Sequence, residues 1–182
     1  MSTDLRAFAS DPFQLLAILE GRVQATRPDV VRRRNDVWLG LGFRIREHWC
    51  VAPREDVREI IPLPGLSRAP GGKPWLMGVA NVRGSILAVA DLAQFLGMPR
   101  KVSHSTTRVL IFNSTKLPVG LLVDEVAGYR QFSIGDQRHD RVANAGALTP
   151  YLLGAFEREQ ETWHAFSLHK LTESPEFAQA GY

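Results

Sequence analysis

The chain is poor in cysteine, with Cys50 alone among 182 residues. One thiol cannot close an intramolecular disulfide, so a reducing compartment is the expectation. Long apolar runs are missing as well: no stretch approaches the roughly 20 residues that a membrane-spanning helix needs. The opening MSTDLRAFASDPFQLLAILEG places Asp4 and Asp11 where a secretory signal has a basic region, and it lacks a long apolar core. A cytoplasmic protein without direct membrane insertion is therefore expected. Charge of one sign is also in short supply, with 22 basic residues against 19 acidic ones, interspersed along the chain. The one dense run is Arg32-Arg33-Arg34. A polyanion binder gathers basic charge on one face to release counterions. Three arginines read as a solvated linker, and nucleic acid is not the expected partner.

The usual signatures of catalysis and metal binding are absent too. His48, His104, His139, His164 and His169 share no metal-ligand spacing, and no cysteine pair accompanies them. Gly71-Gly72-Lys73-Pro74 is too short for a phosphate-binding loop and leads into no helix. No G-x-S-x-G elbow occurs. Asp124-Glu125 is a candidate acid–base pair, but neighbours on a strand point to opposite faces and do not converge. Asp136, Arg138, His139 and Asp140 read as solvated loop charge. No enzyme activity, cofactor or metal is expected.

What the chain does have is a series of short strands. Residues 1–36 read as an N-terminal helix and basic linker. Asp11 suits an N-cap with Pro12 at the first helical position, and Phe13, Leu15, Leu16, Ile18, Leu19 and Val23 recur at near-helical spacing. From Val37 the period changes to two: Val37, Leu39, Leu41, Phe43 and Ile45 alternate with Trp38, Gly40, Gly42 and Arg44. The two glycines suggest a bulge. Strands follow at 49–52 and 57–61, then a Pro/Gly-rich loop at 62–74. The runs 77–82 and 85–90 flank Arg83-Gly84, a hairpin signal. Asp91 caps a short helix at 92–96 that ends at Gly97 and Pro99. Further strands are expected at 109–112, 119–123 and 129–134, then a polar loop at 135–146. A last hairpin spans 152–156 and 162–167, with a short helix from Leu168 and a tail over 174–182. So many short strands predict a mainly β protein of small barrels over residues 37–173. The tryptophans at 38, 49, 75 and 163 lie in or beside apolar runs and read as core.

The segment WLMGVANVRGSILAVADLAQFLG, residues 75–97, resembles the signature of CheW-like coupling domains: a glycine, a strand, Asn-x-Arg-Gly, a second strand, then Asp-Leu and a helix ending at Leu-Gly. Three further segments resemble that family in order: Asp56 to Ile60, Val119 to Val126, and Tyr151 to Gly154 with the hairpin that follows. The resemblance spans roughly residues 37–171. It implies two small five-stranded, SH3-like barrels packed together, with short flanking helices. It also implies a non-catalytic signalling adaptor in chemotaxis or twitching motility. The implied partners are the cytoplasmic tip of a methyl-accepting chemoreceptor and the regulatory domain of a CheA-like histidine kinase of a two-component system. The N-terminal extension and basic linker suggest a specialised paralogue such as the PilI type of type IV pilus systems. The resemblance assigns receptor binding to Arg83, with Val57 and Glu59 near the receptor groove, and leaves the kinase-facing residues unassigned. Gly78, Gly84 and Gly120 match family glycines and read as turn or interface positions. Asp91 and Asp124 match acidic positions that cap or pair locally. Without the resemblance, Arg83 reads as a solvated turn residue, Val57 as core and Glu59 as solvated. The alternative is a nucleic-acid-binding β-barrel, kept open by the sequence pI of about 9.3; it requires aromatic side chains on an exposed basic face.

Overall fold

The computed structural model describes residues 37–99, 105–114, 117–142 and 145–180. The expected N-terminal helix and basic linker lie outside these residues. Among the described residues, ten strands run in the order β1 (Val37–Ile45), β2 (His48–Pro53), β3 (Val57–Pro62), β4 (Leu76–Val82), β5 (Ser85–Asp91), β6 (Arg108–Phe112), β7 (Val119–Val123), β8 (Glu125–Ser133), β9 (Leu152–Arg158) and β10 (Glu161–Phe166). They form two five-stranded sheets. The first has the order β8-β1-β2-β10-β9 and the second β3-β6-β7-β5-β4. The chain thus starts the first sheet, builds the whole second sheet, and returns to finish the first.

The mainly β class, with two groups of five strands, is as expected. The closed barrels are not: the sheets keep open ends and pack together instead. The outer strands β8 and β9 share no ladder. They are tied by a side chain, with Arg158 Nη1 donating to the Gln131 carbonyl at 2.7 Å. Each sheet also contains one parallel pair, β2 with β10 and β5 with β7. Such pairs need long crossovers, which the inserted second sheet and the segment through β6 supply.

One continuous core lies between the sheets. The first sheet sends in Leu41, Phe43, Cys50 and Phe166; the second sends in Leu110, Phe112, Leu121 and Val123, all at most 3% exposed. Phe43 and Phe166 meet edge to face at 6.2 Å. The opposite face of the second sheet encloses a satellite cluster of Leu87, Val89, Val109, Ile111 and Leu122. Being covered on both faces, β7 is buried at every position, which explains its unbroken apolar run Val-Gly-Leu-Leu-Val.

The short helices close the ends of the core. Helix α1 (Leu92–Phe95) begins where the Asp91 side chain accepts from the Gln94 amide at 3.1 Å. Asp91 is itself buried. Asp91→Ala should therefore cost about 1 kcal/mol, while Asp91→Ser keeps most of the cap. Urea unfolding midpoints of the three proteins measure this directly. Helix α2 (Leu168–Thr172) is capped by Ser167 in the same manner. The segment from residue 174, expected as a tail, instead carries α3 (Pro175–Ala178), whose buried Phe177 stacks on Trp75 at 5.2 Å.

Candidate partner-binding site

The β4–β5 hairpin turns through Arg83 and Gly84, with φ of 50° and 83°. Positive φ at both central residues is the type I′ geometry that suits the twist of paired strands. Glycine adopts it freely, whereas Arg83 is held there at some cost. Asn81 Oδ1 stabilises the turn by accepting from the Gly84 amide at 2.9 Å. The Asn-x-Arg-Gly signature is thus a turn that projects a guanidinium outward. The Arg83 side chain is 80% exposed, and its Nη2 donates to Glu59 Oε1 at 2.7 Å. Glu59 stands on β3, at the opposite end of the second sheet from β4. The ion pair therefore links the sheet's two outer strands through a tip side chain.

Two of the three expected receptor-site residues, Arg83 and Glu59, are in contact. Val57 is not part of that pair. It opposes Phe112 and packs against the shared core, and a bulge between Val57 and Glu59 interrupts the alternation of β3. The matched glycines have structural duties. At Gly78, with φ of 146°, a Cβ would collide with the Ser67 carbonyl. That close approach docks the 62–74 loop onto β4, where Ser67 and Val79 exchange two backbone hydrogen bonds of 2.8 Å. Gly120 leaves room for Val109 and Leu87 in the satellite cluster.

The Asp124-Glu125 pair is fully committed to cations. Arg46 donates through its amide and Nη1 to Asp124, and its guanidinium also reaches the Pro99 carbonyl at 2.9 Å. The Arg46 and Asp124 side chains are 7% and 21% exposed. Arg44 pairs with Glu125 at 2.7 Å. No sequence signal marks these pairs, because 78 and 81 residues separate the partners. They are structural clamps and supply no acid–base couple.

Other titratable groups are likewise structural. Burial pushes the Cys50 thiol far above its ordinary range, which keeps it protonated and inert. Burial also raises the Asp56 carboxyl, opposed by His169, whose Nε2 lies 3.2 Å away. Burial, aided by neighbouring His48, lowers His164. The two imidazoles meet edge to face at 5.7 Å, and His164 Nδ1 has no hydrogen-bond partner among the described residues. The depressed pKa gives a sign. Stability from neutral His164 is present above the unfolded value near 6.5 and is lost as pH falls through the folded one. Unfolding free energy should thus decline below about pH 6.5, and His164→Gln should flatten that decline. A variant with an unchanged slope from pH 7 to pH 5 would contradict the assignment.

Among the described residues, no cluster of three or more His, Cys, Asp or Glu side chains is placed to hold a metal ion, and no helix is long and apolar enough to cross a membrane. The folded features are two sheets sharing a core, an arginine-tipped hairpin paired to an edge-strand glutamate, and polar groups bound to one another.

The profile of the CheW-like domain matches residues 39–176. The chain belongs to the CheW-like domain family. It is 36% identical over 168 residues to Protein PilI of Pseudomonas aeruginosa, a match covering 91% of this chain and 94% of that one. Protein FrzA of Myxococcus xanthus is 26% identical over 134 residues, covering 72% of this chain and 83% of FrzA. In three dimensions the chain resembles the scaffolding protein TtCheW of Thermoanaerobacter tengcongensis. That match has a TM-score of 0.67 at 20% identity and covers 76% of this chain and 94% of TtCheW. The fold and the four ordered motifs thus agree on one class, that of CheW-like scaffold and adaptor proteins. Within it, the PilI resemblance extends along most of the chain.

Proposed function

We propose that this chain is a non-catalytic coupling adaptor that joins a methyl-accepting chemoreceptor-like sensor to a CheA-like histidine kinase. The observation that carries the reading is the Asn81-to-Gly84 turn of a CheW-like domain, which presents Arg83 to solvent next to Glu59. A receptor helix bearing a carboxylate would exchange with Glu59 for the guanidinium, and Val57 would set the position of β3 beneath it. A separate surface engages the kinase's regulatory domain. Signal passes because the adaptor fixes both partners in one geometry, so a receptor shift biases a kinase equilibrium. The match to PilI favours a pilus-based motility system over swimming chemotaxis. The protein acts in the cytoplasm, where receptor tips and kinase meet.

The test is affinity capture from the native organism with the tagged chain as bait. Recovery of both a methyl-accepting receptor and a multidomain histidine kinase is expected. Recovery of nucleic acid with neither protein would refute the adaptor reading and revive the nucleic-acid-binding alternative.

A further inference from the structure

The first sheet carries a cleft that the adaptor reading leaves unused. The cross-strand row Arg44, Trp49, Trp163 and Phe156 lies on the face opposite the row Phe43, Cys50 and His164. Facing residues in a ladder share a side of the sheet, so the first row turns away from the shared core. Trp49 and Trp163 of that row line a cleft of about 590 Å³. The Trp49 and Trp163 rings lie 5.0 Å apart and 30° from parallel. Phe132 backs Trp163 at 5.7 Å. Gly42 makes room for the Trp163 ring. A Cβ there would stand 2.9 Å from Trp163 Cζ3 and 3.2 Å from Arg130 Cγ, so the glycine in β1 lets the indole lie across the strand.

One guanidinium in the cleft is uncommitted. Arg130 is exposed and lies over Trp163, 5.8 Å from the ring centroid, with no carboxylate within 4.0 Å among the described residues. Other arginines on this sheet have partners: Arg44 has Glu125, Arg46 has Asp124, and Arg158 has the Gln131 carbonyl. A guanidinium lying over an indole keeps N–H donors free at its edge, the arrangement that receives a carboxylate bidentately. Tyr129, 54% exposed, also lines the cleft, with the Arg54 guanidinium over its ring at 5.4 Å.

We propose that this cleft binds an acidic segment of a protein partner, with one carboxylate on Arg130 and the adjacent apolar side chain against Tyr129 and Trp49. The site lies on the other sheet from Arg83 and goes beyond the receptor contact. A nucleic acid fits less well. Glu159 and Glu161 also line the cleft and repel a polyanion, and Trp163, only 8% exposed, offers little face for a base to stack on. A peptide that brings one carboxylate to one guanidinium meets less of that repulsion than a polyanion does.

The test is an immobilised pentapeptide array probed with the full chain. Each centre is Phe, Tyr, Leu or Ile, and the flanks are Asp/Glu, Asn/Gln or Lys/Arg. Acidic flanks should bind about tenfold more tightly than their amide counterparts. Arg130→Gln should abolish that preference, and Glu161→Gln should raise it. Both cleft substitutions are at exposed positions, and circular dichroism confirms folding. Three results overturn the proposal: no preference among flanks, a preference for basic flanks, or an acidic preference that survives Arg130→Gln. Competition by oligo-dT at lower concentration than the best acidic peptide would reassign the cleft to nucleic acid. Failure here would leave capture of receptor and kinase untouched, so the two readings fall separately.

Discussion

Arg46→Met should destabilise the protein by about 3 kcal/mol, among the largest effects of any single polar substitution in the chain. The change keeps the aliphatic stem but strips Asp124 of its cation and leaves a largely buried carboxylate with one amide donor. It also frees the Pro99 carbonyl. Breaking a buried pair by removing one partner is costly because the other charge stays behind. In a chain of this size the melting temperature should fall by roughly 6–12 °C. Removing both charges with Arg46→Met/Asp124→Leu should recover part of the loss, since a hydrophobic pair escapes the desolvation of an unpaired ion. Additive losses in this double-mutant cycle would mean that the two groups do not interact. The Arg44–Glu125 pair, about a third exposed on both sides, provides the comparison: Arg44→Met should cost under about 1 kcal/mol.

Arg83→Glu should weaken binding to the receptor tip by about 1–3 kcal/mol, roughly 5- to 150-fold, while leaving kinase binding and stability nearly unchanged. The stability expectation follows from exposure: at 80% exposed, the Arg83 partner of Glu59 is well solvated, and such pairs contribute little to folding. The binding expectation follows from the new glutamate meeting the receptor carboxylate and Glu59 alike. Restoring the internal pair in reversed order, with Glu59→Arg/Arg83→Glu, should relieve the repulsion inside the adaptor. Receptor affinity should rise only partway, because the tip of the hairpin keeps the wrong sign. Equal loss of receptor and kinase binding in the single variant would point to general damage and sink the site assignment. Titration calorimetry with a soluble receptor-tip fragment and with the kinase's regulatory domain separates these outcomes.

Legibility in the sequence tracked the range of the interactions. The alternation of β1, the Arg83-Gly84 turn and the Asp91 cap are set by neighbours within a few residues, and each could be read locally. The pairing of β2 with β10 joins Cys50 to His164, and no local pattern encodes it. The Arg46–Asp124 clamp was invisible for the same reason. The family resemblance put Val57 and Glu59 together near the receptor groove, but the bulge between them depends on β6. Trp163 is buried as its apolar run suggested, whereas Trp49 is only half-buried, because alternation reveals a face without telling how fully it is covered. The short end segment offered Phe177, whose docking depends on Trp75, about a hundred positions earlier. Closed barrels were expected from the strand number and from the family resemblance, yet closing the first sheet needs a last ladder between β8 and β9. Arg158 stands there with a side-chain bond instead.

The central claim is that one adaptor holds a receptor and a kinase together through separate surfaces. Its most direct test is co-sedimentation of purified kinase with receptor-bearing membrane vesicles, with and without the chain. The kinase should pellet only when the chain is added, and Arg83→Glu should lower pelleting although the variant still binds the kinase in solution. Equal pelleting in the absence of the chain, or undiminished pelleting with Arg83→Glu, would contradict the account.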